Sequence, residues 1–211
     1  MEIPGTDSRE WVVLKSYYKS AIQVVESKLS IMNEEHFLVY GRKPIQMITS
    51  RIKKKQSIID KMIRHGYEIT AENAIGKIHD IAGVRAICAF EDDAYALAEE
   101  LLRHKDVTLK YKKDFIANPK ESGYRSLHLI ISVPIYLAAG KRDVEVEVQL
   151  RTISMDYWAE FEHALRYKRD IDFPEELDRE ILECAQLSAR LDERMAKLHK
   201  DLTGYIASQT K

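Results

Sequence analysis

The chain has 211 residues, with 33 basic against 34 acidic and a net charge of -1. That length suits one domain with helical extensions, large enough to bury a core without disulfides or a structural metal. So even a charge balance excludes a generally basic nucleic-acid binder, and only 8 Gly and 5 Pro exclude collagen-like or low-complexity architecture, so phosphate chemistry must come from a local cluster.

The first ten residues hold acids and a proline rather than a secretion signal. Trp11, Leu14, Tyr18, Ile22, Val25, Leu29 and Met32 recur at helical spacing and predict an amphipathic helix over about 8–33, capped by Asp7 or Ser8. A strand is expected over 45–53, then a helix from about 55 that Gly66 ends. The run 83–90 reads as a buried strand, 92–104 as an amphipathic helix, and 107–115 and 124–133 as further strands. The longest apolar stretch, 127–139, is cut by His128, Ser132 and Pro134 and is too short to span a bilayer. A cytoplasmic protein without a membrane contact is expected. Over 144–151, three valines and Leu150 alternate with Glu145, Glu147, Gln149 and Arg151, the pattern of a strand with one buried face. Helices follow over 153–168 and about 174–203. Strands and helices mix without strict βα alternation, so the expected class is α+β. Cys88 and Cys184 are expected to be small buried residues rather than metal ligands.

Three groups of residues can carry chemistry. The first is basic: Arg42, Lys43, Arg51, Lys53, Lys54, Lys55, Lys61 and Arg64, opposed only by Asp60. Arg51 and Lys53 share a face of the predicted strand. Ser57, Lys61 and Arg64 share a face of the next helix, with Ser57 near the N-terminus, where free N–H groups favour an anion. Lys54 and Lys55 read as a solvated face. For Arg51, Lys53, Ser57, Lys61 and Arg64 the pattern leaves a polyphosphate site and a solvated basic face both open.

The second group is acidic. Asp80 precedes the buried strand that carries Arg85, and Glu147 lies mid-strand on a polar face. Two carboxylates brought together from two strands suit Mg²⁺ beside a phosphate, although spacing does not separate Glu147 from Glu145. His79-Asp80 spells the dipeptide of metal-dependent phosphohydrolases. Without a further His and Asp on helices, His79 is read as incidental. The third group is the loop-to-strand run 120–128. Period two puts Tyr124, Ser126 and His128 on one face and Leu127 and Leu129 in the core. A tyrosine flanked by Lys120 and His128 either stacks on a base or packs as an amphipathic side chain.

Taken in order, R-I-K-x-x-x-S-I-I-x-K-x-x-R (51–64), H-D-I-A-G-V-R (79–85), K-E-S-G-Y-R-S-L-H (120–128), V-E-V-Q-L-R-T (146–152) and D-Y-W-A-E-F-E-H-A-L-R-Y-K (156–168) resemble the small alarmone synthetases. These are the stand-alone (p)ppGpp synthetases related to the synthetase domain of RelA/SpoT enzymes. The resemblance implies a mixed sheet flanked by helices, similar to nucleotidyltransferases, in a single domain over 1–211 with its core at about 44–168. It implies transfer of the β,γ-pyrophosphate of ATP to the 3′-hydroxyl of GDP or GTP, with Mg²⁺, releasing AMP. Arg51, Lys53, Ser57, Lys61 and Arg64 would hold the ATP phosphates, and Arg51 and Arg85 would flank the adenine. Asp80 and Glu147 would bind Mg²⁺, and Glu147 would polarise the attacking hydroxyl. Tyr124 would stack on guanine, with Lys113, Lys120 and His128 near the acceptor phosphates. Asp156 stands where some members carry Asn.

The length leaves no room for a hydrolase domain, so synthesis without hydrolysis is expected. Leu177, Ile181, Cys184, Leu187, Leu191, Met195, Leu198 and Leu202 form a stripe on the last helix. That stripe packs on the chain's own core or, as the resemblance implies, helps build a homotetramer. A second class of function is an RNA-binding regulator that has lost its chemistry. The near-neutral charge and the presence of Asp80 and Glu147 argue against it, but the two can coexist, because a basic groove attracts single-stranded RNA in a salt-dependent way.

Overall fold

The structure, a computed structural model, describes residues 9–166 and 174–209. The expected cap at Asp7 or Ser8 lies outside them, as does the end of the 153–168 helix. Helix α1 (Arg9–Tyr40) buries Trp11, Leu14, Tyr18, Ile22, Val25, Leu29 and Met32, together with Ala21. It outruns the expected end at 33, but Phe37, Leu38, Val39 and Tyr40 are exposed, so no burial period announces the extension. Gly41, at φ 69°, ends it.

Among the described residues five strands form one sheet: β1 (Ile45–Ile52), β2 (Ala82–Cys88), β3 (Thr108–Asp114), β4 (Leu127–Leu137) and β5 (Gly140–Thr152), in the order β1-β2-β5-β4-β3. The central pair β2–β5 is parallel and the other pairs are antiparallel, so the sheet is mixed. Strands β4 and β5 run past their expected limits into a hairpin that pairs Leu137 with Gly140. There the ladder alone defines the strand, because Tyr136, Lys141 and Asp143 are exposed.

Among the described residues there are five more helices: α2 (Lys55–Arg64), α3 (Ala71–Lys77), α4 (Glu91–Arg103), α5 (Ile153–Arg166) and α6 (Glu175–Gln209). Helix α3 is unannounced in the sequence. It buries only Ala71 and Ala74, and depends on Thr70, whose side chain accepts the Asn73 N–H. Thr152 does the same for α5, accepting the Met155 N–H at 3.1 Å.

Helices α1 and α4 pack on the sheet and on each other. They cover the face that carries Val84, Ala86, Leu129, Ile131, Val146, Val148 and Leu150, all buried in the main core. Each of the larger of these side chains contributes roughly 1.5–3 kcal/mol, which fixes the register of β5 and therefore the direction of its polar residues. A second, smaller cluster of Trp158, Ala159, Ile181 and Ala185 joins α5 to α6, and Tyr124 packs against it.

Helix α6 excludes one of the two alternatives for its stripe. Its apolar stripe does not pack on the core: Ile181 is buried, but Leu177, Leu187, Leu191, Met195, Leu198 and Leu202 are exposed. Cys184 is exposed too, whereas Cys88 is buried as expected. Beyond the Ile181–Ala185 cluster, polar contacts tie this helix to the body, Thr152 Oγ1 donating to Asp192 at 2.7 Å and Lys200 pairing with Asp92 at 2.8 Å.

Candidate active site

Residues paired across neighbouring strands point to the same side of a sheet. Two adjacent rows therefore cross the face opposite α1 and α4. One runs Arg51–Gly83–Glu147–Ile130–Tyr111 and the other Thr49–Arg85–Gln149–His128–Lys113. Five of the expected site residues, Arg51, Arg85, Glu147, His128 and Lys113, fall in these rows. Gly83 sits between Arg51 and Glu147, and a Cβ there would stand 3.6 Å from Arg51 Cγ. Its missing side chain leaves room for a cavity of about 230 Å³ lined by Thr49, Ser50, Arg51, Gly83, Arg85 and Glu160.

Lys53, Lys61 and Asp80 meet at the edge of these rows. Lys53 Nζ donates to Asp80 Oδ2 at 2.7 Å and Lys61 Nζ to Oδ1 at 3.0 Å. The Lys53 N–H is fixed in turn on the Ile81 carbonyl at 2.7 Å. Burial pushes the Asp80 carboxyl up, but the hydrogen bonds and charges of Lys53 and Lys61 outweigh it and hold the group below the usual carboxylate range. Ser57 and Arg64 occupy the first and last turns of α2, both exposed. The rest of the basic run disperses. Arg42 forms a bidentate pair with buried Asp93, Lys43 pairs with Glu34, and the Lys55 ammonium lies 5.9 Å from the Trp11 ring centre rather than on a solvated face.

Around Glu147 the groups are wired in series. Gln149 Nε2 donates to Glu147 Oε2 at 2.8 Å, and His128 Nδ1 stands 3.4 Å from Oε1. Arg151 Nη2 reaches the Tyr124 hydroxyl at 2.5 Å, and that hydroxyl is 2.8 Å from His128 Nε2. Arginine only donates, so the hydroxyl oxygen accepts from Arg151, and the imidazole presents Nδ1 to Glu147. Burial pushes the Glu147 carboxyl up, and so does the charge of Asp80. The His128 hydrogen bond and charge, with the Gln149 hydrogen bond, bring it below the usual range. Lys120 Nζ lies 4.7 Å from the Tyr124 ring centre, a cation–π contact.

One expectation is corrected. Ser126 does not share the face of Tyr124 and His128. It is fully buried beside Leu127, its hydroxyl reaching the Leu150 carbonyl at 3.4 Å, because β4 begins only at Leu127 and the alternation does not extend back. His79 and Glu145 are partners of each other across the sheet face. His79 Nδ1 is 2.6 Å from Glu145 Oε2, and the imidazole rests against the Tyr111 ring. Gln149, Arg151 and Glu160 also belong to the site, though no role was assigned to them from sequence. For the first two the signal was present in the alternation of β5.

Among the described residues no three His, Cys, Asp or Glu side chains form a metal cage. Asp80 and Glu147 are near enough for the charge of one to act on the other. Two carboxylates beside phosphate-type cations fit Mg²⁺, which takes one or two protein carboxylates and completes its shell with water and substrate phosphate.

Paired lysines, arginines and carboxylates on one open face of an α+β sheet suit phosphorylated substrates. Residues 50–172 match the family model described as the region found in RelA / SpoT proteins, and the chain belongs to that family. It is 41% identical over 197 residues to the GTP pyrophosphokinase YwaC of Bacillus subtilis, covering 93% of this chain and 94% of that protein. It is 33% identical over 196 residues to the GTP pyrophosphokinase YjbM of the same organism, covering 93% and 92%. The crystal structure of small alarmone synthetase 2 from Bacillus subtilis superposes with a TM-score of 0.83 at 39% identity, covering 92% of this chain and all of that one. Small alarmone synthetase 1 of the same organism, bound to its product pppGpp, gives 0.83 at 33% identity, covering 92% and 98%.

Proposed function

We propose that this chain is a (p)ppGpp synthetase of the alarmone-producing kind. It moves the β,γ-pyrophosphate of ATP to the 3′-hydroxyl of GDP or GTP and releases AMP, in one synthetase domain working in the cytoplasm. The observation that carries this reading is the union, on one open sheet face, of the Lys53–Asp80–Lys61 cluster with a Glu147 wired to His128 and Tyr124. The names of relatives matched over nearly their whole length support the same reaction class.

Arg51 and Arg85 are diagonal neighbours on an antiparallel pair, roughly 7–8 Å apart, a spacing that lets two guanidinium planes take a flat base between them. Lys53, Ser57, Lys61 and Arg64 hold the triphosphate, so Lys53 and Lys61 exchange Asp80 for phosphate oxygens. Tyr124 stacks on the guanine, with Lys113, Lys120 and His128 near the acceptor's phosphates. Glu147 draws the proton of the 3′-hydroxyl. The hydroxyl oxygen attacks the β-phosphorus, the bond from that phosphorus to the α,β-bridging oxygen breaks, and AMP leaves with the bridging oxygen. Asp80 and Glu147 would hold Mg²⁺, whose charge offsets that of the transferring pyrophosphate.

The test is incubation with ATP, Mg²⁺ and GDP or GTP, followed by separation of the nucleotides. AMP and a guanosine 3′-pyrophosphate should accumulate together; ATP left intact sinks the reading. The exposed α6 stripe supports assembly, as a homotetramer, through the terminal helices. Leu191→Asp with Leu198→Asp should lower the mass seen by light scattering while leaving a folded species, and a monomeric wild type would end that idea. Exposed Lys110, Lys112 and Lys113 on the edge strand β3 would also attract single-stranded RNA, with affinity falling as salt rises.

A further inference from the structure

We infer that Asp156 is a positioning residue that couples the two halves of the site, so that each nucleotide raises the affinity for the other. The inference rests on the donor and acceptor assignments above. A single oxygen carries it. Asp156 Oδ1 accepts from Arg85 Nη1 at 3.0 Å and from Arg151 Nη1 at 3.1 Å. Arg85 lines the cavity beside Arg51, and its other anion, Glu160, is 2.6 Å away on the same nitrogen. Arg151 is only 4% exposed, and its Nη2 holds both the Tyr124 hydroxyl and Gln149 Oε1. Asp156 thus stands between a guanidinium that faces the donor cavity and one that holds the acceptor tyrosine.

One oxygen divided between two guanidiniums binds neither at full strength. When a donor base draws Arg85 over its face, Arg85 leaves Oδ1. The carboxylate then belongs to Arg151 alone, and that pair tightens behind Tyr124. In the other direction, a base stacked on Tyr124 fixes Arg151 in the posture that claims Oδ1, which frees Arg85 for the donor. The two effects are one coupling free energy and must be equal in size. Asparagine at this position keeps the shape and one acceptor oxygen but removes the charge for which the arginines compete, so it should uncouple the halves without emptying either.

The test is titration calorimetry of GDP into the full-length protein with Mg²⁺, alone and saturated with an ATP analogue whose α,β-bridging oxygen is replaced by methylene. The analogue cannot give up its pyrophosphate. Wild type should bind GDP about five-fold or more tightly when the analogue is present. Asp156→Asn should bring the ratio to about one with both nucleotides still bound. Glu160→Gln weakens the other ion pair of Arg85 and leaves the Arg85–Asp156–Arg151 bridge in place, so it should keep a ratio above one. A wild-type ratio of one overturns the coupling, as does a wild-type ratio retained in Asp156→Asn or a ratio of one in Glu160→Gln. Asp156→Asn weakening GDP equally with and without the analogue would put Asp156 on the acceptor itself and also overturn it. Failure of the synthetase reading is distinguishable: no AMP forms in the assay above, whereas an uncoupled site still makes it.

Discussion

His79 Nδ1 and Glu145 Oε2 meet at 2.6 Å on the open face of the sheet. This contact ties the residue before Asp80 to the residue two before Glu147. It separates two carboxylates that alternation alone makes equivalent, because Glu145 is taken by an imidazole while Glu147 faces His128, Gln149 and the charge of Asp80. Glu147→Gln should lower kcat by more than the ~10²–10⁴-fold typical of general-base loss, since a metal contact goes with the base. Glu145→Gln should be much milder, acting only by loosening His79 beside Asp80. Near-normal turnover in Glu147→Gln, or an equal loss in both variants, would reverse the assignment.

Tyr124 offers two separable features, a ring and a hydroxyl. Tyr124→Ala should raise the acceptor's KM far more than that of ATP, because base–aromatic stacking is worth roughly 1–3 kcal/mol. Tyr124→Phe keeps the ring but breaks the link between Arg151 and His128, so it should hurt kcat more than the acceptor's KM. Equal effects of Tyr124→Ala on both substrates would mark a merely structural tyrosine.

The turn before Tyr124 leaves no room for a side chain. Gly123 has φ +86°, and a Cβ there would lie 2.4 Å from the Ala185 Cβ on α6. Gly123→Ala therefore adds left-handed strain to a clash. It should cost about 1–3 kcal/mol, at ~2–4 °C of Tm per kcal/mol for a chain of this size. The acceptor's KM should rise with it, since Tyr124 is the next residue. An unchanged melting curve would mean that the turn and α6 are not in contact in solution.

A pH effect is expected far from the site. Lys28 donates to both Asp106 oxygens at 2.8 Å, and this hydrogen bond, against a small opposing effect of burial, holds the Asp106 carboxyl below its usual range. A carboxylate depressed in the folded state adds stability above its unfolded pKa of about 3.9, and loses that contribution as pH falls through the folded value. The pair is partly exposed, so Asp106→Asn should cost only about 0.2–1 kcal/mol at pH 7 in urea melts. The gap between variant and wild type should close below roughly pH 4. A gap that stays constant into acid would show that the charge is not what matters.

Legibility in the sequence followed the physics of each signal. The buried stripe of α1 and the alternation of β5 were readable because burial imposes a period, and the period told which side of β5 bears Glu147. The end of α1 past Met32 and the α3 helix were not, because solvent-facing or very short helices leave no period to read. Site residues held by their own element were legible, as with Arg51, Arg85 and Glu147. Those defined by a partner distant in sequence were not. Nothing in the chain order announces that His79 takes Glu145, that Arg42 leaves the basic cluster for Asp93, or that Asp156 is shared by Arg85 and Arg151.

On the proposed assignment, the lysines that cover Asp80 act as a removable plug. A dication arriving by itself meets a carboxylate already countered by two ammonium groups, and gains little by displacing them. A triphosphate offers Lys53 and Lys61 a richer anion, draws them off, and uncovers Asp80 in the same movement. Asp80 would then take a dication together with the nucleotide rather than before it.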